Sequence, residues 1–445
     1  MKKYFYFISL WLIASAAITG CKTVVKNYGQ LSSDALVASN KSLSDAIITD
    51  IFTPPVASRI YAYSNIAAYE ALAPFYPEYK SFQGQLRDFP SMPAFDNSKE
   101  YDPELAAISA FTTVGKKLVY SEQVLADFQA EKEKEYGNKI SSSVVKNSVE
   151  YGTAVGTAIL GWASKDNYTE TRNMMRYVIG KGVGEWIPTP PDYMSAVEPH
   201  WGKIRTFSLA KANEFMINNP MKVDSIKGSE FMKATEEVMN TGKNLTPEQI
   251  DIAKFWDDNP NVSHHFGHMS YDTQKLTPGG HWIGITTTVL KKQKANLMQA
   301  AEAYSLVTIA MVDGFIACWD EKYRCHTVRP ETIINKYLDQ DWRPLLQTPP
   351  FPEYPSGHGT ISASAATVLN HLYGEKYAFT DSTEVEFGFS ARKFNSFYEA
   401  SDEAALSRMY GGIHFRHSND DARALGRKIG GNLVSKIITK IKSNK

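Results

Sequence analysis

Two segments in the last third of the sequence place cations and an imidazole where they could grip an anion. Lys322 and Arg329 are seven positions apart, so they either lie two helical turns apart or flank a turn, and both can point to one side. Ser356 and Gly357 precede an apolar run with helical spacing, and His358 falls in the first turn of that predicted helix. Such a helix start offers backbone N–H groups and a hydroxyl to an anion. Taken singly, the two segments are also typical of a solvated basic helix end and of an ordinary helix cap.

A third segment, at positions 407–414, adds a guanidinium and a second imidazole. Arg408 offers a planar fork to oxygen anions, and Gly411 and Gly412 allow a tight turn that brings His414 toward the same point. Alone, a histidine after a glycine turn is more often structural. Together the segments provide three cations, a hydroxyl, a helix start and two imidazoles, and each charged hydrogen bond contributes roughly 1.5–3 kcal/mol. We therefore predict a pocket for a tetrahedral or trigonal-bipyramidal oxyanion.

The elements that position this pocket are predicted to be helical. Hydrophobic residues make up 43% of the 445-residue chain and charged residues 22%, so a buried core is expected and wholesale disorder is excluded. Apolar residues recur every three to four positions, whereas alternating strand patterns are almost missing. In the N-terminal half, helical spacing covers the ranges 34–51, 56–72, 103–136, 141–163, 229–239 and 247–256. We predict an all-α protein.

A C-terminal four-helix bundle is predicted to pack on this helical N-terminal half. Its helices are predicted over residues 296–319, 357–372, 387–409 and 420–440. Ser418, three residues before Asp421, is predicted to cap the last of them. The chain is accordingly divided into a signal peptide at 1–20, a tether at 21–32, a helical N-terminal region at 33–295 and the bundle core at 296–445.

The start of the chain predicts export and lipid attachment. Lys2 and Lys3 precede an apolar run that is too short to span a bilayer comfortably but is typical of an export signal. The run ends at Gly20 and Cys21, which resembles the lipobox of bacterial lipoproteins, where the cysteine is acylated. Acyl chains add about 0.8 kcal/mol per buried methylene, so Cys21 would hold the protein at a membrane surface on the periplasmic or cell-surface side. A signal peptide with an incidental cysteine, or a short anchor helix, is the alternative.

Charge and cysteine content narrow the possible functions. Lys plus Arg and Asp plus Glu each number 48, and loss of the two leader lysines leaves 46 basic against 48 acidic residues, a net charge of −2. A global positive field that would gather nucleic acid is therefore absent. Besides Cys21 the chain contains Cys318 and Cys325, which lie ~10 Å apart on a helix and beyond disulfide reach. Both are predicted to be buried thiols.

The three segments, in order, resemble the signature of a known superfamily. Lys-x6-Arg-Pro, Pro-Ser-Gly-His and Ser-Arg-x3-Gly-x-His match at every named position the motifs shared by type 2 phosphatidic acid phosphatases and vanadium-dependent haloperoxidases. The motifs run from Lys322 to His414, so the resemblance covers part of the C-terminal third. It implies a helical core of the haloperoxidase and phosphatase type.

The resemblance also implies a role for each residue of the pocket. His414 would bind the central atom, which is vanadium in a haloperoxidase and phosphorus in a phosphatase. His358 would be the acid–base residue near the apical oxygen. The equatorial oxygens would be held by cations, a hydroxyl and a backbone N–H, which are supplied by Lys322, Arg329, Arg408, Ser356 and Gly357.

Features outside the shared motifs favour the haloperoxidases. Phosphatases of this superfamily are commonly short or membrane-spanning, whereas the haloperoxidases carry a large helical N-terminal part, as this chain does. Trp319 and Phe351 stand where chloroperoxidase-type members carry an aromatic pair beside the halide site, although core packing explains them equally well. The implied reaction is oxidation of a halide by hydrogen peroxide at histidine-bound vanadate, with His358 moving the proton.

Two positions near the pocket extend or depart from the family pattern. Residues 255–258 resemble a family segment that supplies a carboxylate behind the active-site arginine, so Asp258 or its neighbour is predicted to orient Arg408. Family members often carry an acidic residue four positions after His414. Ser418 stands there instead, so the hydrogen bond that fixes the His414 ring is unassigned.

A second histidine-rich stretch lies before the bundle. Two of its members are adjacent, and no cysteine or tight set of carboxylates accompanies them, so loop or packing roles are favoured over a metal site. His281 and Trp282, which follow a glycine turn, could nevertheless line the cleft. The histidines of this stretch are His264, His265, His268 and His281.

Three functions are compatible with these patterns. The leading hypothesis is an exported vanadium-dependent haloperoxidase that uses hydrogen peroxide and a halide. The first alternative is an acid phosphatase of the same superfamily, which hydrolyses a phosphomonoester through a phosphohistidine and needs no vanadate. The second is a surface lipoprotein that only binds a ligand. The paired imidazoles argue against the last, because a binding module does not need them.

Overall fold

The computed structural model describes residues 28, 31–217, 219–260, 262–266, 268–272 and 275–441. The predicted export signal and the lipidation prediction at Cys21 lie outside these residues. Within them the chain forms fourteen α-helices and four short β-strands, which confirms the all-α prediction.

The N-terminal half is helical, with one β-hairpin near its end. The helices of this half are α1 (Asp34–Thr49), α2 (Pro54–Leu72), α3 (Pro103–Leu118), α4 (Glu122–Gly137), α5 (Ser142–Ala163), α6 (Tyr168–Arg172), α7 (Glu230–Lys243), α8 (Pro247–Phe255) and α9 (Pro278–Gln293). The hairpin pairs β1 (Ser263–Phe266) with β2 (Met269–Asp272), antiparallel and with Ser263 opposite Asp272. Helix α2 packs on α3 and α5, and every residue of α2 is buried.

The C-terminal half contains the predicted bundle. Its helices are α10 (Leu297–Cys325), α11 (Pro330–Tyr337), α12 (Gly357–Tyr373), α13 (Phe397–Tyr410) and α14 (Arg416–Lys436). A second antiparallel hairpin, β3 (Phe379–Asp381) with β4 (Arg392–Phe394), connects α12 to α13. Helices α10, α12, α13 and α14 pack together, and α2 packs on α10, so one continuous core joins the two halves.

Helix α10 is the central element of this core. Asn296 and Gln299 form a capping box that begins it, each side chain bonding the backbone N–H of the other. By length and composition α10 could cross a membrane, but its apolar window is completely buried inside the protein. It is therefore the core helix of the bundle, and its last turn reaches the predicted pocket.

Helices α12 and α14 approach each other unusually closely. A Cβ atom added at Gly426 of α14 would lie 2.1 Å from the carbonyl oxygen of Thr360 in α12. One added at Gly359 would lie 2.9 Å from the Cβ of Ala422. Glycine at these positions lets the two helices touch through their backbones, which fixes the start of α12 against the chain that enters α14.

Several predicted helix boundaries in the N-terminal half and in α10 are wrong. The range 103–136 is two helices, because the Asp50 carboxylate accepts the backbone N–H groups of Tyr120 and Ser121 at 2.7 and 2.9 Å and holds the chain in a turn there. Helix α10 continues beyond position 319 to Cys325. Cys325 is only partly buried, because it ends the helix, whereas Cys318 is buried as predicted; both are free thiols.

Two boundaries in the last bundle helices are also wrong. Residues 388–396 are not helical, and α13 begins at Phe397, where the Ser396 hydroxyl accepts the Glu399 backbone N–H at 3.0 Å. Ser418 is not a cap. It lies in the first turn of α14, which begins at Arg416, and its side chain faces the ring of His414 at 3.5 Å.

Candidate active site

The structure brings the three predicted segments together at one end of the bundle. Lys322 lies in the last turn of α10, and Arg329 is the residue that precedes α11. The two residues therefore flank a turn. Ser356 caps α12, Arg408 lies near the end of α13, and His414 lies between α13 and α14. All five residues are buried, with at most 3% of each exposed.

Lys322 is a fully buried cation held by backbone carbonyls. Its ammonium group donates to the carbonyl oxygens of Pro352 at 2.8 Å and Glu353 at 2.9 Å. An ammonium has three donors, so one remains for a further acceptor. Burial lowers the pKa of Lys322 to about 7. A bound anion would stabilise the charged form of this side chain.

Arg329 presents a free edge of its guanidinium. Nε donates to the carbonyl of Phe351 and Nη1 to the carbonyl of Ile413, both at 2.9 Å. Nη2 is buried and has no hydrogen-bond partner within the described part of the chain. Burial lowers the pKa of Arg329 to about 10. An unpaired buried N–H of a cation is costly unless a ligand completes it.

Arg408 is oriented from the segment that follows α8. Its Nη2 donates to the carbonyl of Trp256 at 2.7 Å, and Nη1 lies 4.0 Å from a carboxylate oxygen of Asp257. Asp257, the neighbour of Asp258, is thus the carboxylate nearest to Arg408. Asp258 instead contacts two histidines, His281 at 2.9 Å and His358 at 3.9 Å.

The ring of His414 is fixed by a carboxylate that sequence reasoning missed. Its Nδ1 lies 2.7 Å from Glu353 Oε1, and Arg329 Nη1 lies 3.2 Å from its Nε2. Burial, followed by the charges of Arg329 and Lys322, holds the pKa of His414 well below its ordinary value, so the ring is neutral. The Nδ1–H therefore donates to Glu353, and the Nε2 lone pair faces the cations. Glu353 thus provides the carboxylate that family members often carry at the position of Ser418.

His358 stands in the first turn of α12, beside the free N–H groups of the helix start. Burial, and then the positive charges of Arg408 and His281, hold its pKa well below the ordinary value, so this ring is also neutral. Its Nε2 is buried without a hydrogen-bond partner in the described residues. The Ser356 hydroxyl accepts the Gly359 N–H at 3.3 Å and keeps its own hydrogen for another acceptor.

A partly open pocket with about 440 Å³ of empty space, some of it continuous with solvent, lies at these groups. Its polar lining includes Asp258, His358, Arg408 and His414, and Trp319 and Phe351 form part of its apolar side. The two aromatic rings are tilted, with their centroids 4.9 Å apart. The predicted aromatic pair therefore lies beside the pocket, and Phe351 also lies 5.1 Å from the Lys322 ammonium.

The histidines of the second histidine-rich stretch lie in different parts of the structure. His264 and His265 lie in β1, and His268 lies in the exposed turn after it. His281 does not line the cleft. It is fully buried in α9 between two carboxylates, Asp258 and Asp381, and no sequence signal pointed to Asp381.

The residues present fit an oxyanion such as vanadate. The neutral imidazole of His414 lies among the charges of three cations, near a helix start. One donor of these cations, Arg329 Nη2, has no partner among the described residues. Oxygen atoms of an anion satisfy such donors, and an unprotonated imidazole is a common metal ligand.

Comparisons with known proteins agree with this geometry. A family model described as the VCPO second helical-bundle domain matches residues 302–443. The crystal structure of a bacterial vanadium-dependent iodoperoxidase is 40% identical, covers 93% of this chain and 99% of its own, and superposes with a TM-score of 0.88. Holo and apo structures of bacterial vanadium-dependent chloroperoxidase share the fold at 17% and 16% identity, with TM-scores of 0.67 and 0.66; each covers 87% of this chain, and 93% and 95% of its own chain, respectively. A search of curated proteins gave no match. With 40% identity over nearly the whole of the iodoperoxidase, this chain belongs to the vanadium-dependent haloperoxidases.

Proposed function

We propose that this haloperoxidase oxidises iodide with hydrogen peroxide and that its vanadate is bound in the pocket described above. When bound, vanadate supplies Lewis-acid activation of hydrogen peroxide without changing its oxidation state. The proposed vanadate-binding residues are Lys322, Arg329, Ser356, Gly357, Arg408 and His414.

The observation that carries this proposal is a pair of unpaired nitrogen atoms beside the neutral imidazole of His414. Arg329 Nη2 and His358 Nε2 are buried and have no partner among the described residues. Arg329 Nη1 lies 3.2 Å from His414 Nε2, and His358 and His414 both line the cavity. A packed structural core satisfies its buried polar atoms. These atoms are therefore best explained as ligand-binding groups.

Each side chain has a separate task in this reaction. His414 presents a lone pair from Nε2, and Glu353 holds the ring in that tautomer. Lys322, Arg329 and Arg408 neutralise the charge of the oxyanion, aided by the Ser356 hydroxyl and the N–H of Gly357. His358 is neutral and can accept a proton from hydrogen peroxide at Nε2. Overall, iodide, hydrogen peroxide and one proton give hypoiodous acid and water.

Iodide is proposed as the halide for two reasons. The structure that is 40% identical is that of a bacterial vanadium-dependent iodoperoxidase. In addition, the wall formed by Trp319 and Phe351 is apolar, and a large, weakly hydrated anion loses least when it leaves water for such a surface.

A paired activity assay tests the function. The purified protein is assayed for peroxide-dependent iodide oxidation with and without added vanadate, and in parallel for hydrolysis of a phosphomonoester. We expect vanadate-dependent iodide oxidation that is lost in His414→Ala and kept in His371→Ala, a control at an exposed position of α12. Phosphatase activity that needs no vanadate, without iodide oxidation, would refute the proposal in favour of the phosphatase alternative.

We further propose that the protein is exported and held at a membrane surface through acylated Cys21. The support is the sequence of the leader alone, in which an apolar run ends at Gly20 and Cys21. Cells that express the protein should incorporate labelled palmitate into it, and Cys21→Ser should abolish the label. A wild-type protein that remains unlabelled would contradict this proposal.

A further inference from the structure

A chain of buried ionisable groups begins at His358 and Asp258, which both line the cavity, and continues away from it to His281 and Asp381. One carboxylate oxygen of Asp258 lies 3.9 Å from His358 Nε2, and the other lies 2.9 Å from Nδ1 of His281. On the far side of its ring, His281 Nε2 lies 2.8 Å from Asp381. None of the proposed catalytic steps uses His281 or Asp381.

Within this series of ionisable groups, His281 is tightly packed and positively charged. Its side chain is completely buried, and the ring of Trp256 stacks on it with the centroids 4.4 Å apart and the planes 17° from parallel. Burial opposes a charged ring, but Asp258 and Asp381 outweigh burial and hold the pKa of His281 well above its ordinary value. A charged imidazole donates from both nitrogens, which matches an acceptor on each side.

Both negatively and positively charged side chains lie around His281. Glu384 Oε1 is buried, lies 3.8 Å from Nδ1 and has no hydrogen-bond partner among the residues described. The titratable or charged groups that face this cluster from the packed elements are Asp257, Asp258, Lys275, His358, Asp381, Glu384 and Arg408.

We propose that His281 is a positioning residue for the haloperoxidase reaction: clamped between Asp258 and Asp381, it fixes the Asp258 carboxylate that faces the His358 ring. This inference rests on the proposed acid–base function of His358. Without His281, Asp258 would be a buried carboxylate with one oxygen unpaired, and it would turn or take up a proton. The His358 ring would then lose its fixed neighbour and the nearby positive charge.

The sign of the expected pH effect follows from the charge of His281. A cation near His358 lowers the pKa of that ring. Replacement of His281 by a neutral residue therefore raises it, and the loss of kcat/KM for hydrogen peroxide at low pH begins at higher pH. Removal of a partner that orients an active-site group typically costs about 10–100-fold in activity, so a fall in kcat of about tenfold is expected.

The test compares His281→Gln with a matched control. Asp166→Asn disturbs another buried ion pair, in which Asp166 accepts from Arg59 at 2.6 Å in the N-terminal half of the chain. Both variants are assayed for kcat and KM against pH and for thermal unfolding. We expect the pH profile and kcat to change only in His281→Gln, although both variants unfold at lower temperature. Asp381→Asn, which leaves Asp258 and the ring in place, is the second variant and should shift the profile less, in the same direction.

Other outcomes overturn the inference. If His281→Gln and Asp381→Asn keep the wild-type kcat and pH profile and lose only thermal stability, His281 is merely structural. Since Asp258, His281 and Glu384 lie close enough together to hold a metal ion, elemental analysis of the purified protein is included. A stoichiometric divalent cation that disappears in His281→Gln would also overturn it.

A readout that needs no activity separates this inference from the proposed function. The histidine rings of the vanadate-free protein are titrated by NMR, with the His358 signal assigned from His358→Gln. A rise in the pKa of His358 in His281→Gln supports the positioning role even if the wild type does not oxidise iodide. An unchanged pKa refutes the role even if the wild type is fully active.

Discussion

The contact between α12 and α14 predicts that adding one Cβ atom at Gly426 destabilises the protein. In Gly426→Ala the added Cβ would lie 2.1 Å from the carbonyl oxygen of Thr360 and 2.7 Å from the Cβ of Ala363. Neither neighbour can rotate away, because one is backbone and the other is a methyl group fixed to the helix. The two helices must therefore move apart.

The expected cost follows from the kind of strain. Overpacking that shifts a backbone typically destabilises a protein by about 1–3 kcal/mol. Gly431, five residues further along α14, is the matched control because a Cβ there meets nothing within 4 Å. Gly431→Ala should instead stabilise the protein by about 0.5–1 kcal/mol, since alanine is the better helix former.

The same movement should weaken anion binding. Helix α12 begins at Gly357, directly after Ser356, and α14 begins two residues after His414, so separation of the helices moves the two sides of the pocket apart. Denaturant unfolding would measure stability, and titration of the vanadate-free protein with vanadate would measure affinity. A Gly426→Ala protein as stable as Gly431→Ala, with wild-type affinity for vanadate, would refute this account of the packing.

Three further predictions concern the pocket. Because the Lys322 ammonium loses its proton as the pH rises through about 7, vanadate affinity should fall between pH 6 and 8 more steeply in the wild type than in Lys322→Met; equal slopes in parallel titrations would contradict this. Glu353→Met removes the acceptor for the His414 Nδ1–H, so histidine ¹⁵N NMR of the vanadate-free protein should show a mixture of tautomers; a wild-type spectrum would exclude the hydrogen bond. Phe351→Leu shortens the apolar wall and should raise the KM for iodide by about twofold to twelvefold, since a buried aromatic contact is worth about 0.5–1.5 kcal/mol. Vanadate affinity should stay unchanged; a shift in vanadate affinity instead would show that Phe351 serves the anion pocket.

The helical fold and the residues of the pocket could be predicted because their signals are local. Apolar residues at three-to-four spacing indicate helices wherever one face is buried, and this held for most elements. The positions of Ser356 and His358 at a helix start could be predicted because a helix cap is specified by only a few neighbouring residues. Predicted helix boundaries were wrong where a distant side chain contacts the backbone. Asp50, for example, accepts the N–H groups of Tyr120 and Ser121 and so ends the helix there.

Short motifs specify which chemical groups this protein places in its pocket, since they carry the cations and the imidazoles. The way in which those groups are held depends on the packing of distant segments. Glu353 meets His414 across 61 positions, and His281 meets Asp381 across 100. Such pairs depend on how the helices pack, and nothing near either residue in the chain specifies its partner. Burial then sets the charge of each group, because the same imidazole is neutral among cations at His414 and charged between carboxylates at His281.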